Sequence, residues 1–190
     1  GDAPTKICPD CESEVASNTR ICPICEHEFE RKVKDILENF EMTEYDLMQM
    51  SPFMWIDPYG NGSAMMAMGF NGFTLVGNIG DYWIAIVKSK NGRPRVVSIG
   101  EKVQAMAAGD DFLREIEDSN AANKTKRWLN QPASAKQKEH LAANGVNINM
   151  MDFSWTKYKA ACCLSYYWNR DSVDRLIADN WKKLTGRNYK

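Results

Sequence analysis

The 190-residue chain is 44% hydrophobic and 26% charged, with a formal net charge of −1, a balance that suits one sizeable folded domain or a small module plus a domain. No run approaches the roughly 20 apolar residues needed to cross a bilayer, and no apolar stretch precedes the first cysteine as a secretory signal would require. The near-zero sum hides a polarity along the chain: residues 1–50 carry 5 Lys/Arg against 12 Asp/Glu, residues 51–121 carry 6 against 8, and residues 122–190 carry 13 against 5. An acidic start and a basic end point to different partners for the two ends, the basic one suited to a polyanion. The chain opens on Gly1 rather than Met, so it is expected to be an excised piece of a longer protein.

The first element in chain order is a cysteine module. Four of the six cysteines form Cys8-x2-Cys11-x10-Cys22-x2-Cys25, each pair on a Cys-Pro-x-Cys turn. Two residues between cysteines let both thiolates face one point, and two such knuckles give the tetrahedral four-sulfur shell that Zn2+ prefers. The spacing therefore predicts one structural zinc ion in a reducing compartment rather than a disulfide framework. Val15 and Ile21 are expected beside the site, with Phe29 covering it. His27 is not needed as a ligand, because four sulfurs already close the shell. A closed shell leaves no position for substrate, so the metal is expected to hold the fold and not to catalyse.

Val33, Ile36, Leu37 and Phe40 recur at helical spacing over 31–41. Thr43 with Asp46 predicts a capped helix to Met50, stopped by Ser51-Pro52. Residues 57–62 are a turn cluster, and the glycines among Met65 to Gly80 favour strands with tight turns over helix. Residues 82–88 and 94–99 read as partner strands around the Asn91-Gly92 hairpin signal, which gives a small antiparallel sheet of three or four strands. Helix is expected over 101–118, broken or restarted at Gly109-Asp110, with Asp110 and Asp111 as N-cap and first-turn acids. A short helix is expected over 121–129. Ser134 with Gln137 predicts a capping box for a helix that Asn144-Gly145 stops. Ser154 or Thr156 starts a helix to Trp168, and Asp171 caps a last one ended by Gly186.

Cys162 and Cys163 are adjacent on a helix, where side chains diverge by about 100° and chelate one ion poorly, so both are expected in the core. No GxxxxGK[ST], GxSxG or HExxH motif is present, and neither His27 nor His140 has a partner constellation. Nothing in the pattern marks a catalytic centre.

Two places combine cations with aromatics. Lys88, Lys90, Arg93 and Arg95 surround the hairpin tip. Lys124, Lys126, Arg127 and Trp128, then Lys136 and Lys138, then Lys157 and Lys159, open or flank helices in the basic end. Cations at these places suit phosphates, and a hairpin with nearby aromatics suits bases. Trp155, Tyr158, Tyr166, Tyr167, Trp168 and Trp181 are expected in the core, since several lie at helical spacing.

The ribbon from Cys8 to Phe29 resembles the zinc ribbon that follows the motor domains of phage-type DEAD/DEAH-box (superfamily 2) helicases. Residues 52–57 (PFMWID), 64–70 (AMMAMGF), 124–137 (KTKRWLNQPASAKQ) and 156–160 (TKYKA) are similar to segments that follow it in that family. The resemblance implies a C-terminal accessory region, with the ATPase motor upstream, single-stranded or forked DNA as partner, and the cytoplasm of a bacterial host as location. It carries no catalytic role onto these residues. Together the expectations are an α+β chain: a zinc ribbon over 1–30, an α+β domain with a small antiparallel sheet over 31–121, and a basic helical region over 122–190, binding DNA for a helicase and aiding strand separation. The alternative is a zinc-ribbon module that docks another replication or recombination protein.

Overall fold

The computed structural model describes residues 5–16, 19, 21–27, 29, 42–149 and 154–187. The helix expected over 31–41 lies outside them. The chain divides into two compact units, Gly1–Glu41 and Met42–Lys190. Each buries its own core among the described residues. The smaller unit is a two-stranded antiparallel ribbon, β1 (Thr5–Ile7) and β2 (Glu14–Ala16), with Lys6 opposite Val15.

The larger unit starts with α1 (Glu44–Met50), closed at its start by the expected capping box. The Asp46 N–H donates to Thr43 Oγ1 at 3.2 Å, and the Thr43 N–H donates to Asp46 Oδ2 at 3.0 Å. The turn cluster that follows winds around Asp57, whose carboxylate accepts the N–H groups of Tyr59, Gly60 and Gly62. Four antiparallel strands then run in sequence order: β3 (Ala64–Met68), β4 (Gly72–Ile79), β5 (Tyr82–Ser89) and β6 (Arg95–Gly100). Gly80-Asp81 makes the tight two-residue link between β4 and β5, with Ile79 opposite Tyr82 and Gly80 at φ +81°. The Asn91-Gly92 signal sits, as expected, in the connection between the paired strands β5 and β6, from Ser89 to Arg95.

The strands lack clean alternation because both sheet faces are covered. Met65, Ala67, Val76, Ala85 and Val87 pack against Ala105, Met106, Phe112 and Leu113 of α2 (Lys102–Ile116). From the other face, Met66, Phe73, Leu75, Ile84 and Ile86 meet Leu129, Tyr158, Cys162 and Val173. That second layer comprises a 3-10 turn (Arg127–Asn130), α4 (Lys157–Trp168) and α5 (Arg170–Thr185), with α3 (Ala135–Ala143) against α4 through Leu141, Ala160 and Leu164. Ser134 and Gln137 form the expected capping box of α3, and Thr156 caps α4. Gly145 and Gly186, at φ +83° and +68°, follow helix ends as the sequence indicates. Asn169, not Asp171, occupies the cap of α5, and only the 3-10 turn forms within the helix expected over 121–129.

Helix α2 runs unbroken through Gly109-Asp110, contrary to expectation. The glycine serves close approach rather than a break: a Cβ there would lie 2.2 Å from Thr74 Oγ1 on β4. Asp110 is no N-cap. It is 5% exposed and joins α1 to α2, accepting the Ser51 hydroxyl and the Trp55 indole N–H (3.1 Å) on Oδ1 and Arg114 Nε (2.8 Å) on Oδ2. Arg114 in turn donates to the Met50 carbonyl at 3.2 Å. A buried carboxylate with three donors is satisfied; one stripped of them would be costly.

The Gly109–Thr74 contact yields a double-mutant test. Gly109→Ala should destabilise the larger unit by about 1–3 kcal/mol through overpacking. Thr74→Ala in the same chain should recover part of that loss, so that the two changes couple in denaturant melts; strict additivity would sink the contact.

Candidate metal centre and basic surface

Each Cys-Pro-x-Cys turn folds the same way. The Glu12 N–H donates to the Cys8 carbonyl and the Cys8 N–H to the Ser13 carbonyl, both at 2.9 Å; Glu26 to Cys22 (3.0 Å) and Cys22 to His27 (2.8 Å) repeat the pattern. Both turns need a left-handed residue after the second cysteine, and here it is Glu12 (φ 58°) and Glu26 (φ 60°), a conformation that costs a non-glycine residue energy. The two knuckles face each other. Cys8 Sγ lies 3.5 Å from Cys25 Sγ and Cys11 Sγ lies 3.6 Å from Cys22 Sγ, and all four sulfurs fall within 4.8 Å of one another. A tetrahedral shell with metal–sulfur bonds of about 2.3 Å has edges of about 3.8 Å, so the cluster could hold one metal ion and fits zinc.

Two of the thiols are shifted in opposite directions. The Ser13 hydroxyl and N–H hold the Cys11 thiol down to about 6. Cys25, despite the favourable His27 N–H, is pushed up to about 12 by desolvation and the neighbouring sulfurs. A metal ion supplies the positive charge that lets all four become thiolates. Val15 is buried with Cys8 and Cys22, and Phe29 packs against them, whereas Ile21 is exposed. His27 stays outside the cluster, with Nδ1 2.7 Å from Asp10 Oδ2 and its ring edge-on to Phe29. Lys6 Nζ lies over the Phe29 ring, 3.7 Å from its centre.

The cations singled out in the sequence fall into two groups. Some are engaged within the unit. Lys124 Nζ donates to the Met48 and Gln49 carbonyls, both at 2.8 Å, which satisfies the open end of α1. Lys138 is buried at 6% exposure. Lys157 donates to the Gln131 side-chain carbonyl at 2.8 Å, Lys159 lies over the Trp155 ring and Arg95 over the Phe112 ring. Lys88 donates to the Ser89 and Lys90 carbonyls. Lys90, Arg93, Lys126, Arg127 and Lys136 are exposed. Trp128 is partly buried against the sheet.

Sequence reasoning missed two aromatics. Trp168, expected in the core, is 66% exposed, and Phe70 is 57% exposed. The helical spacing of Trp168 was no guide, because α4 ends there. Cys162 and Cys163 are buried as expected, and burial pushes the Cys163 thiol up to about 11 and the Cys162 thiol higher. They therefore remain neutral core groups. No helix among the described residues is long and apolar enough to cross a membrane.

A family model described as the mitochondrial helicase Irc3 C-terminal domain matches residues 32–185, most of the chain but not its four clustered cysteines. No curated protein and no solved structure matches.

The contrast between the two groups of cations is measurable. Lys124→Met should lower stability by about 1–2 kcal/mol, because two helix-end carbonyls lose a charged donor. Lys126→Met, at an exposed residue, should leave the melting temperature unchanged. Equal effects in thermal melts would contradict this division.

Proposed function

The chain belongs to the family of Irc3 helicase C-terminal domains, and from that premise we propose that it is a non-catalytic region that binds DNA for a helicase motor lying upstream in the parent protein. The observation that carries this is that, of the cations singled out in the sequence, Lys90, Arg93, Lys126, Arg127 and Lys136 remain exposed while the others are engaged within the unit. Charges without an internal partner lose nothing by meeting phosphates, and they release condensed counterions from DNA when they do. Lys90 and Arg93 lie on the connection between β5 and β6, where a projecting hairpin can enter a fork and help separate strands. The parent is read as a phage-type superfamily 2 helicase on the resemblance of the ribbon and the segments after it.

In the smaller unit, the four cysteines hold one Zn2+. Cys8, Cys11, Cys22 and Cys25 supply the complete tetrahedron, and the ion shapes a segment whose core, among the described residues, is Cys8, Val15 and Cys22. A core that small does not fold unaided, so metal binding and folding are one equilibrium.

Two measurements test these readings. Anisotropy of labelled forked DNA should show affinity falling steeply with salt. With five contacts, a fourfold rise in salt should cost on the order of 100-fold, and replacing Lys126 and Arg127 with Ala should flatten the log–log slope by about 1 for each cation. A flat dependence, or no binding at low salt, would contradict the proposal. Capture of a replication protein, undisturbed by the same changes, would favour the docking module instead. Elemental analysis of reduced protein should find one zinc per chain. Cys22→Ser should lose it and expose residues 5–29 to protease; metal-free protein with a protected ribbon would refute the site.

A further inference from the structure

Trp168 occupies an unusual place for the largest side chain type. It ends α4, and only Asn169 separates it from α5. The Asn169 N–H closes on the Tyr166 carbonyl at 2.9 Å, so the corner carrying Trp168 is held by backbone. The indole and the His140 ring meet in a T-shaped contact, with centroids 6.3 Å apart at 78°, yet 66% of the residue remains exposed. Burying such a ring would gain more than most side chains offer, so its exposure calls for an occupant.

A depression lies on each side of this ring. One, of about 300 Å3, is lined by Phe70, Asn71, Lys88 and Lys90. The other, of about 420 Å3, is lined by Ser134, Lys136, Gln137 and His140. Met68, Ser165 and Trp168 belong to the walls of both, so the two depressions adjoin at these residues and form one groove. No Asp or Glu lines either half.

Phe70 is the second exposed ring of the groove, and it is held in place. The Glu117 carboxylate accepts the N–H groups of Phe70 (3.0 Å) and Asn71 (2.6 Å), which pins the turn between β3 and β4. Gly69 leaves room for that carboxylate, since a Cβ would lie 2.2 Å from the Glu117 carboxyl carbon. The Phe70 ring leans on Trp128, 5.8 Å away and tilted by 36°, and keeps 57% exposure.

We infer that this groove takes an unpaired nucleic-acid strand, with bases stacked on Trp168 and Phe70 and phosphates beside Lys90 and Lys136. The inference rests on the nucleic-acid reading above and names the strand form that this surface selects. Two fixed, exposed aromatic rings beside lysines in one groove are the elements of a sequence-tolerant single-strand site. A duplex keeps its base faces stacked on one another, so it would meet the cations but not the rings. An acidic peptide would satisfy the lysines and leave the flat faces without a matching partner.

The test uses the full chain and two labelled probes of equal length, oligothymidine and the same backbone without bases, at one fixed low salt concentration. Wild type should bind oligothymidine on the order of 10-fold more tightly than the abasic strand. Trp168→Ala should remove most of that difference while leaving abasic binding unchanged, Trp168→Phe should keep it, and Phe70→Ala should reduce it. Trp168 is exposed, so its replacement should leave the melting temperature intact; Phe70→Ala gives an independent reading should it not. Equal affinity of wild type for the two probes, or a Trp168→Ala chain that keeps the full preference, would overturn the stacking site. If salt-dependent binding through Lys126 and Arg127 persisted in that case, the broader DNA reading would stand. Failure of wild type to bind either probe would overturn both, and tighter binding of a polyglutamate peptide than of oligothymidine would assign the groove to an acidic protein instead.

Discussion

Strands β4 and β5 bury side chains on both faces, so each face of the sheet needs a helical layer. On one side α2 supplies it, brought close enough by Gly109 on Thr74. On the other, α4 and α5 supply it, and Tyr158 sets how α4 lies across the sheet. Its phenol donates to the Met54 carbonyl at 2.6 Å and accepts the Met68 N–H at 2.8 Å. Burial pushes its pKa well above the ordinary phenol range, so the donor persists at every pH at which the protein is used. Met54 lies beside the segment that extends the sheet edge through the Ile56–Met66 bridge. One hydroxyl therefore ties the entering segment, strand β3 and helix α4 together. The groove flanking Trp168 opens where this junction ends, at Met68.

The smaller unit solves a different problem. Among its described residues only Cys8, Val15 and Cys22 are buried, and it twice places a glutamate in a left-handed conformation that glycine would adopt at lower cost. The backbone bonds of the two knuckles hold that strain in place only while the sulfurs are gathered. A cation that binds all four thiolates offsets the strain and the mutual repulsion together, since both oppose the same closed geometry.

Much of this was legible in the sequence where cause and effect lie close together. The Cys-Pro-x-Cys pairs, the Thr43–Asp46 and Ser134–Gln137 boxes and the glycines that end helices all act within five residues, so spacing reveals them. The readings that changed depend on distant partners. Asp110 resembled a helix start because its donors Ser51 and Trp55 stand 59 and 55 residues away. Gly109 resembled a break because the hydroxyl it admits belongs to another strand. Lys124 resembled a phosphate ligand because the carbonyls it caps lie 75 and 76 residues upstream. Trp168 shared the helical spacing of buried neighbours, but periodicity does not say where a helix stops being covered.

These relocations alter what the charge count means. The segment 122–190 carries 13 cations against 5 acids, yet Lys124 and Lys138 are engaged or buried, Lys157 and Lys159 lie against neighbouring side chains, and α5 interleaves Asp171, Asp174 and Asp179 with its own Arg170, Arg175, Lys182 and Lys183. Of the cations singled out there, only Lys126, Arg127 and Lys136 are exposed without such an engagement. A few exposed cations give weak attachment that salt readily removes. A contribution less sensitive to screening is needed for a strand to be held at physiological ionic strength, and aromatic stacking is of that kind. Of those three cations only Lys136 lines the groove at Trp168, joined by Lys90 from the β5–β6 connection, so the exposed rings stand where the cations alone are sparse.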